Sequence, residues 1–280
     1  MISSIVSPAA LRAGLTALCS GSLLSLAAIA MPVQAQVRLS PLVIEEQAVR
    51  GQAQGVLNIS NNTNEPFRAR LYVAPFTYDD DEGFQYLESD SSDLSPYLQF
   101  SPRELQVPPN TTRRIRFVSR FPPSMPEQEY RAVLVTENLR EIASGDGIQV
   151  IVQAQVGATV YIRNGDLAAN LAAVNASFDP SNNQLGLLVQ NTGPASARPK
   201  VFWALSQGGR EVYSGETGET TVITGSDRRI TLNSPSGQNR AMPALAGSGY
   251  QLSGELVWEN EDDVITRQPF DVEVTLTPER

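Results

Sequence analysis

The chain has 280 residues, of which 21 are Lys or Arg and 30 are Asp or Glu, so its formal net charge is -9. An acidic chain is poorly suited to the phosphate backbone, and we expect no nucleic-acid partner. The sequence has no histidine and one cysteine, which removes Ser-His-Asp and Cys-His nucleophilic sites and most zinc and iron sites. Catalysis by carboxylates alone is left open.

The first 35 residues predict a secretory signal. Arg12 precedes an apolar stretch at 15–30, and small residues lead to a cleavage point after about Ala35. The single cysteine, Cys19, lies inside this signal, so the exported chain carries no thiol and relies on packing in an oxidising compartment. No later stretch reaches the roughly 18 to 20 apolar residues of a membrane span. We therefore expect no transmembrane segment in the mature form.

Short alternating segments separated by Gly, Pro, Asn and Asp follow the signal, without a helical period of 3.6 residues. This pattern predicts an all-β fold. Seven strands at such spacing indicate an immunoglobulin-like sandwich. In the first half we place them at 37–45, 55–60, 67–78, 97–107, 113–119, 130–138 and 148–163.

Arginines alternate with apolar residues in two of these strands. In the segment 67–73 the odd positions are apolar and should face inward, while Arg68 and Arg70 face outward. Arg114 and Arg116 alternate in the same way. They are either a docking stripe for an acidic partner or the solvated face of a sheet, and we favour the solvated face.

The second half repeats landmarks of the first in the same order. Each half has a strand that ends in an Asn-Thr turn, then a strand entered through two arginines, then one entered through tyrosine. This order predicts two related sandwich domains, 36–164 and 165–280, divided at the turn-forming residues 164–166. The paired landmarks are 57–63 with 187–192, 112–115 with 227–230, and 129–131 with 249–251.

Two acidic runs interrupt the predicted strands. The run 79–83 lies between Tyr78 and Phe84, and 260–263 lies between Trp258 and Val264. Neither has the alternating ligand spacing of a calcium loop. We interpret both as hairpin turns and predict no metal site.

The order of these segments resembles the PapD-like periplasmic chaperones of pilus (fimbrial) assembly. The resemblance implies two immunoglobulin-like β-sandwich domains arranged in an L-shape with a cleft between them, a periplasmic location, no catalysis and no cofactor. It rests on the segments 37–44, 57–61, 100–105, 108–109, 113–117 and 130–142, and more thinly on 191–193, 198–199 and 249–258.

In that family the last strand of the first domain completes the sheet of a pilus subunit that lacks a strand, before the subunit passes to an outer-membrane usher. The resemblance places this donor strand at 148–163. Val150, Val152, Ala154 and Val156 share its apolar face. The alternative is that this face packs on its own sandwich.

The family also holds the subunit's C-terminal carboxylate with an arginine on the first strand and a lysine on the donor strand. Alignment places Val43 and Thr159 at these two positions, and the only lysine, Lys200, lies in the second half. The chain therefore resembles a divergent member of this family, one that lacks the usual carboxylate anchor. Arg38 and Arg163 are the remaining candidates for a cation in the cleft.

Arg163 has a second interpretation. In the family an arginine at the end of the donor strand joins the two domains through acidic partners, and Glu129 is a possible partner by position. The leading hypothesis is a pilus-subunit chaperone. A non-catalytic structural or adhesive cell-envelope protein on the same scaffold is the alternative, because the basic pair is missing.

Overall fold

The computed structural model of the protein describes residues 37–79, 83–143, 149–232, 245, 247–259 and 264–276, with the side chains of 139–143 and 149–154 left undescribed. The predicted signal at 1–35 lies outside the described residues, as do the acidic residues 80–82 and 260–263. No helix within the described part of the chain is long and apolar enough to cross a membrane.

The prediction of an all-β protein is confirmed. In the first half the strands are β1 (Val37–Ser40), β2 (Val43–Gln47), β3 (Gln52–Asn61), β4 (Phe67–Ala74), β5 (Phe76–Asp79), β6 (Gly83–Tyr86), β7 (Leu98–Ser101), β8 (Glu104–Val107), β9 (Thr112–Arg120), β10 (Gln128–Ala143) and β11 (Gln149–Asn164). The second half contains β12 (Leu171–Asp179), β13 (Gln184–Asn191), β14 (Lys200–Gln207), β15 (Arg210–Glu216), β16 (Asp227–Leu232), β17 (Tyr250–Glu259) and β18 (Ile265–Leu276). A 3-10 turn at Ser95–Tyr97 precedes β7.

Two sheets form the first sandwich. One has the order β1-β3-β9-β7 and the other β2-β11-β10-β4-β8. Apolar side chains of both sheets meet in one core, because strand residues alternate between the core and the solvent. The core includes Leu57, Ile59, Ile115, Leu134, Val160 and Ile162, none of which is exposed.

The predicted number of seven strands in this half is wrong, since three predicted strands are each divided by a proline and β6 (Gly83–Tyr86) lies outside all seven. Pro41 separates β1 from β2, Pro75 separates β4 from β5, and Pro102 separates β7 from β8. Proline has no N–H to donate to a ladder, so a strand pairing ends there. At Pro41 and Pro102 the chain also passes from the four-stranded to the five-stranded sheet.

The inward and outward faces of β4 and β9 are as predicted. Ala69 and Leu71 are buried, whereas Arg68 and Arg70 are exposed and pair with the carboxylates of Glu104 and Glu137. Arg114 and Arg116 are likewise exposed. These arginines therefore form solvated sheet faces, partly neutralised within the chain.

A continuous seven-stranded sheet, β15-β14-β17-β18-β12-β13-β16, forms the second sandwich. β18 joins its two halves, because residues 265–273 pair antiparallel with β17 and residues 274–276 pair parallel with β12. Both halves contribute to a single core, which includes Leu187, Val189, Ile230, Trp203, Leu252 and Leu256.

The repeated landmarks occupy equivalent places in the two sandwiches. Leu57 lies opposite Ile115 in β3 and β9, as Leu187 lies opposite Ile230 in β13 and β16. An asparagine with 1% exposure ends the first strand of each pair, Asn61 in β3 and Asn191 in β13. The repeat in the sequence thus reflects one sandwich motif used twice.

These asparagines form the same corner. The Nδ2 of Asn61 donates to the carbonyls of Glu65 and Val107 at 2.8 and 3.0 Å, and its Oδ1 accepts the N–H of Thr63 at 2.9 Å. In the second sandwich, Asn191 Nδ2 donates to the carbonyls of residues 195 and 222, and its Oδ1 accepts the N–H of residue 193 at 3.0 Å. A buried amide of this kind satisfies main-chain groups that the ladder leaves free.

Candidate functional site

The edge strand β11 is paired on one side much further than on the other. Its 16 residues all pair with β10, but only 159–163 pair with β2, in parallel. Among the described strands, none pairs with the outer side of residues 149–158. We call this segment the open edge.

Main-chain groups of the open edge point outward at alternate residues. The N–H of Thr159 donates to Leu42 O at 2.9 Å, so it points away from β10. Hydrogen-bonding directions alternate along a strand, and the N–H and C=O groups of Gly157, Gln155 and Gln153 therefore point the same way. Since none of the described strands pairs with these groups, they can pair with an added strand.

All four predicted donor residues lie in β11 beside this edge, and Val156 is the one whose side chain is described. Val156 is partly buried against the core of the first sandwich, so packing on its own sandwich applies at this position. The side chains of Val150, Val152 and Ala154 lie outside the described residues, and their entry into a client stays a prediction.

A cavity of about 430 Å³ adjoins the open edge where β2 begins to pair with β11. We call it the neutral pocket, because every described residue that lines it is uncharged. Its walls come from β2, β10, β11 and the β5–β6 hairpin. They include Val43, Gly157, Thr159, Tyr78, Phe84 and Tyr86.

Val43 and Thr159 meet in this pocket. They are direct partners in the parallel pairing of β2 with β11. Thr159 is 7% exposed, and its Oγ1 lies 3.4 Å from the carbonyl of Leu42. A neutral pair stands where the resemblance implies two cations.

The outer wall of the pocket is aromatic. Phe84 stacks on the buried ring of Phe76 with centroids 5.4 Å apart, and Tyr86 meets Phe84 edge to face at 5.2 Å. Phe84 and Tyr86 are 40% and 50% exposed. The predicted hairpin is confirmed, since Tyr78 pairs with Phe84 across it.

Arg228, in the second sandwich, holds this hairpin from outside the pocket. Its guanidinium lies 5.1 Å from the ring centroid of Tyr78, and its Nη1 donates to the carbonyl of Asp79 at 2.7 Å. Burial raises the pKa of Tyr78, and the charge of Arg228 opposes that rise in part. Tyr78 is therefore neutral at physiological pH.

Arg163, at the end of β11, lies in a buried polar network between the sandwiches. Its Nε is 3.3 Å from Glu129 Oε2, and its Nη2 donates to Ser196 O at 2.9 Å. Ser196 also donates its N–H to Glu129 Oε2 at 2.9 Å and its hydroxyl to Oε1. We call Glu129, Arg163 and Ser196 the junction network; it contains the Arg163–Glu129 contact considered in the sequence analysis.

The two candidate cleft cations occupy different environments. Arg163 is 7% exposed, and its Nη2 also lies 3.7 Å from Glu45, so its charge is balanced within the chain. Arg38 is exposed on β1, opposite Ser60 in the four-stranded sheet. Neither lines the neutral pocket.

A second cavity of about 560 Å³ lies beside the junction network. Acidic and basic side chains both line it, including Arg198, which pairs with Glu45, and Lys200, which lies 3.5 Å from Glu219. Burial alone lowers the pKa of Arg198. The hydrogen bond with Glu45 and the negative charge of that residue together raise it by more, so the pKa of Arg198 lies above its ordinary value. Within the described part of the chain, no group of three or more carboxylates, cysteines or histidines forms a metal site.

Sequence reasoning missed the aromatic wall and most of the junction network. Phe76, Tyr78, Phe84 and Tyr86 alternate along the two strands of one hairpin, and this period of two was the available signal for a shared face. Ser196 offered no comparable signal, because two of its contacts involve main-chain atoms.

No protein-family model and no curated protein matches the chain. Its fold is similar to that of the YadV chaperone, at 12% identity over 85% of this chain and 100% of that chain, with a TM-score of 0.48. The class 5 fimbriae chaperone CfaA gives 11% identity over 83% and 98%, with a TM-score of 0.46. A chain from the complex of the Salmonella enterica SafA pilin with the SafB chaperone gives 14% over 85% and 95%, with a TM-score of 0.45. Similarities of this size concern the fold alone.

Proposed function

We propose that this protein is a non-catalytic periplasmic chaperone that binds incomplete immunoglobulin-like pilus subunits by lending them the open edge of β11. The bound subunit then passes to an outer-membrane usher. The observation that supports this proposal is a 16-residue strand that is paired fully on one side and open over residues 149–158 on the other. The predicted secretory signal supports export.

Strand addition offers two sources of affinity. Each main-chain hydrogen bond between the open edge and a client contributes about 0.5–1.5 kcal/mol net. A valine that enters the groove of an incomplete sandwich adds up to about 1.5–3 kcal/mol. Val150 and Val152 are proposed to supply this apolar contribution, and Ala154 a smaller one.

The main-chain part of the proposal is tested at Gln155. Its N–H points outward, so Gln155→Pro removes a donor from the open edge while leaving the ladder with β10 unaltered. Gln155→Ala is the matched control, because it keeps the N–H and removes only the side-chain hydrogen bond from Nε2 to Glu137. We expect periplasmic co-expression with subunits encoded beside the gene to recover a complex with the wild type and Gln155→Ala, but not with Gln155→Pro.

Val152→Arg tests the side-chain part in the same assay. A charge placed in an apolar groove is costly to desolvate, so we expect no complex. Recovery of equal amounts with Val152→Arg would rule out this face as the donor.

A structural or adhesive cell-envelope protein on the same scaffold is the second candidate. The neutral pair Val43 and Thr159 favours it, because an ordinary carboxylate anchor is missing. This candidate predicts that the wild type recovers no subunit and instead fractionates with the cell envelope.

A further inference from the structure

We propose that the neutral pocket anchors an aromatic side chain of the client strand, in place of a terminal carboxylate. This inference rests on the proposed strand addition and names the chemistry of the client residue that ends beside β2. The open edge stops at Ala158, because β2 covers β11 from Thr159 onward. A strand added to β11 must therefore stop or turn away beside the pocket.

The direction of the side chains brings the client into the pocket. Gln155, Gly157 and Thr159 share one face of β11, and all three line the pocket. A client residue paired with this part of β11 places alternate side chains over the same face. One of them lies above Gly157, where no side chain from β11 fills the space.

Gly157 keeps this space open. A Cβ built at Gly157 would lie 2.6 Å from Val133 Cγ2, which is too close for an unshifted contact. The floor of the pocket therefore consists of bare main chain and a valine methyl group. A flat ring can lie against such a floor, whereas a larger residue on β11 would close it.

Charge complementarity excludes a carboxylate as the preferred occupant. Among the described residues that line the pocket, none is charged, and the charge hydrogen-bonded to the lining residue Gln155 is the carboxylate of Glu137, which is 4% exposed. Arg228 touches the wall, where it packs on Tyr78 and donates to Asp79 O. The charge of Arg198 also acts on Tyr78, but this arginine pairs with Glu45. A buried anion without a cation partner is strongly disfavoured.

The aromatic wall favours a ring as occupant. Phe84 and Tyr86 are partly exposed, with 40% and 50% of their surface accessible, and they already meet edge to face. A third ring between them and the floor would gain both apolar burial and edge-to-face contact. An aliphatic residue would gain only the first.

The test uses a fluorescein-labelled peptide of alternating Val and Thr that ends in Phe, bound to the full mature chain and followed by fluorescence anisotropy. A second peptide ends in Ala, and each is made with a free carboxylate and as an amide. We expect the Phe peptide to bind about tenfold more tightly than the Ala peptide, as for a buried aromatic ring. We expect acid and amide to differ by less than about twofold.

Two variants localise the effect. Phe84→Ala should bring the Phe peptide to the affinity of the Ala peptide. Phe202→Ala is the matched control, because Phe202 is also 40% exposed but lies on β14 in the second sandwich, and it should change neither affinity. Gln155→Pro should abolish binding of both peptides through the open edge.

The outcomes separate the inference from the function on which it rests. Equal binding of Phe and Ala peptides to the wild type, with loss in Gln155→Pro, would overturn the aromatic anchor and leave strand addition intact. Much tighter binding of the acid than the amide would overturn it in favour of a carboxylate anchor. If neither peptide binds the wild type, the open edge does not accept a strand and both proposals fail.

Discussion

Removing the carboxylate of the junction network should destabilise the protein strongly. Glu129 has a fully buried side chain, and it accepts hydrogen bonds from the Ser196 N–H, the Ser196 hydroxyl and Arg163 Nε. Glu129→Ala leaves these donors without that acceptor and leaves a buried guanidinium short of a counter-charge. Removing one partner of a buried ion pair costs about 3–5 kcal/mol, and we expect a loss of this size.

Urea unfolding measures this loss and also shows where it acts. Both tryptophans, Trp203 and Trp258, lie in the core of the second sandwich, so tryptophan fluorescence reports that sandwich, while far-ultraviolet circular dichroism reports both. In Glu129→Ala we expect the two transitions to separate, because the junction couples the sandwiches. Glu104→Ala is the matched control: it breaks an exposed pair with Arg68 and should cost less than about 1 kcal/mol. If Glu129→Ala costs no more than this control, the junction network does not stabilise the protein.

Two further predictions concern the sandwich corners and the hairpin. Asn61→Ala and Asn191→Ala each leave main-chain groups of a buried corner without partners and should cost about 1–3 kcal/mol. Because the junction couples the sandwiches, either variant should shift the shared transition when Glu129 is intact, whereas in the Glu129→Ala background only Asn191→Ala should shift the tryptophan transition. A tryptophan shift caused by Asn61→Ala in that background would show that the sandwiches still unfold together. Arg228→Ala removes the hydrogen bond to Asp79 O and the cation–π contact with Tyr78. The cation–π contact alone is worth about 0.5–1 kcal/mol at a partly exposed site. The substitution should weaken Phe-peptide binding about two- to fivefold, and unchanged anisotropy would show that the hairpin is held without Arg228.

The sequence was sufficient to predict features that depend on local periodicity. Alternation identified the buried face of β4, where Ala69 and Leu71 are covered and Arg68 is not. The echoed Asn-Thr turns predicted the matching corners at Asn61 and Asn191, because a buried asparagine and the turn after it are contiguous in the chain.

The passages between sheets were not predicted, because alternation continues across them. Apolar residues occur at regular intervals on both sides of Pro41 and Pro102, so each of these segments has the pattern of one continuous strand. Proline ends a pairing, and the new partner is set by sheets formed from distant parts of the chain. A proline inside an alternating segment therefore marks a place where the chain can change sheet.

The open edge and the neutral pocket both depend on how distant segments pair, so the sequence predicts them only in part. The length of the open edge depends on where β2 begins to pair with β11. That point is set by the start of β2 after Pro41 and by the pairing of Val43 with Thr159. The neutral pocket needs residues from five strands, so no single segment indicates it. The sequence nevertheless indicates that the pocket lacks a basic pair, because Val43 and Thr159 are both uncharged.

The junction network and the neutral pocket are linked through β11, which is fixed at one end and open at the other. At the fixed end, Arg163 contacts Glu129 and Ser196. The pocket depends on the position of Thr159 relative to the β5–β6 hairpin. Arg228 of the second sandwich contacts that hairpin. Because Arg228 connects the hairpin to the second sandwich, we expect a loosened junction to displace the hairpin relative to the open edge while both keep their own structure. We therefore expect Glu129→Ala to keep binding both peptides but to lose its preference for Phe, while Glu104→Ala keeps that preference. An equal preference in the two variants would show that the pocket is positioned by the first sandwich alone.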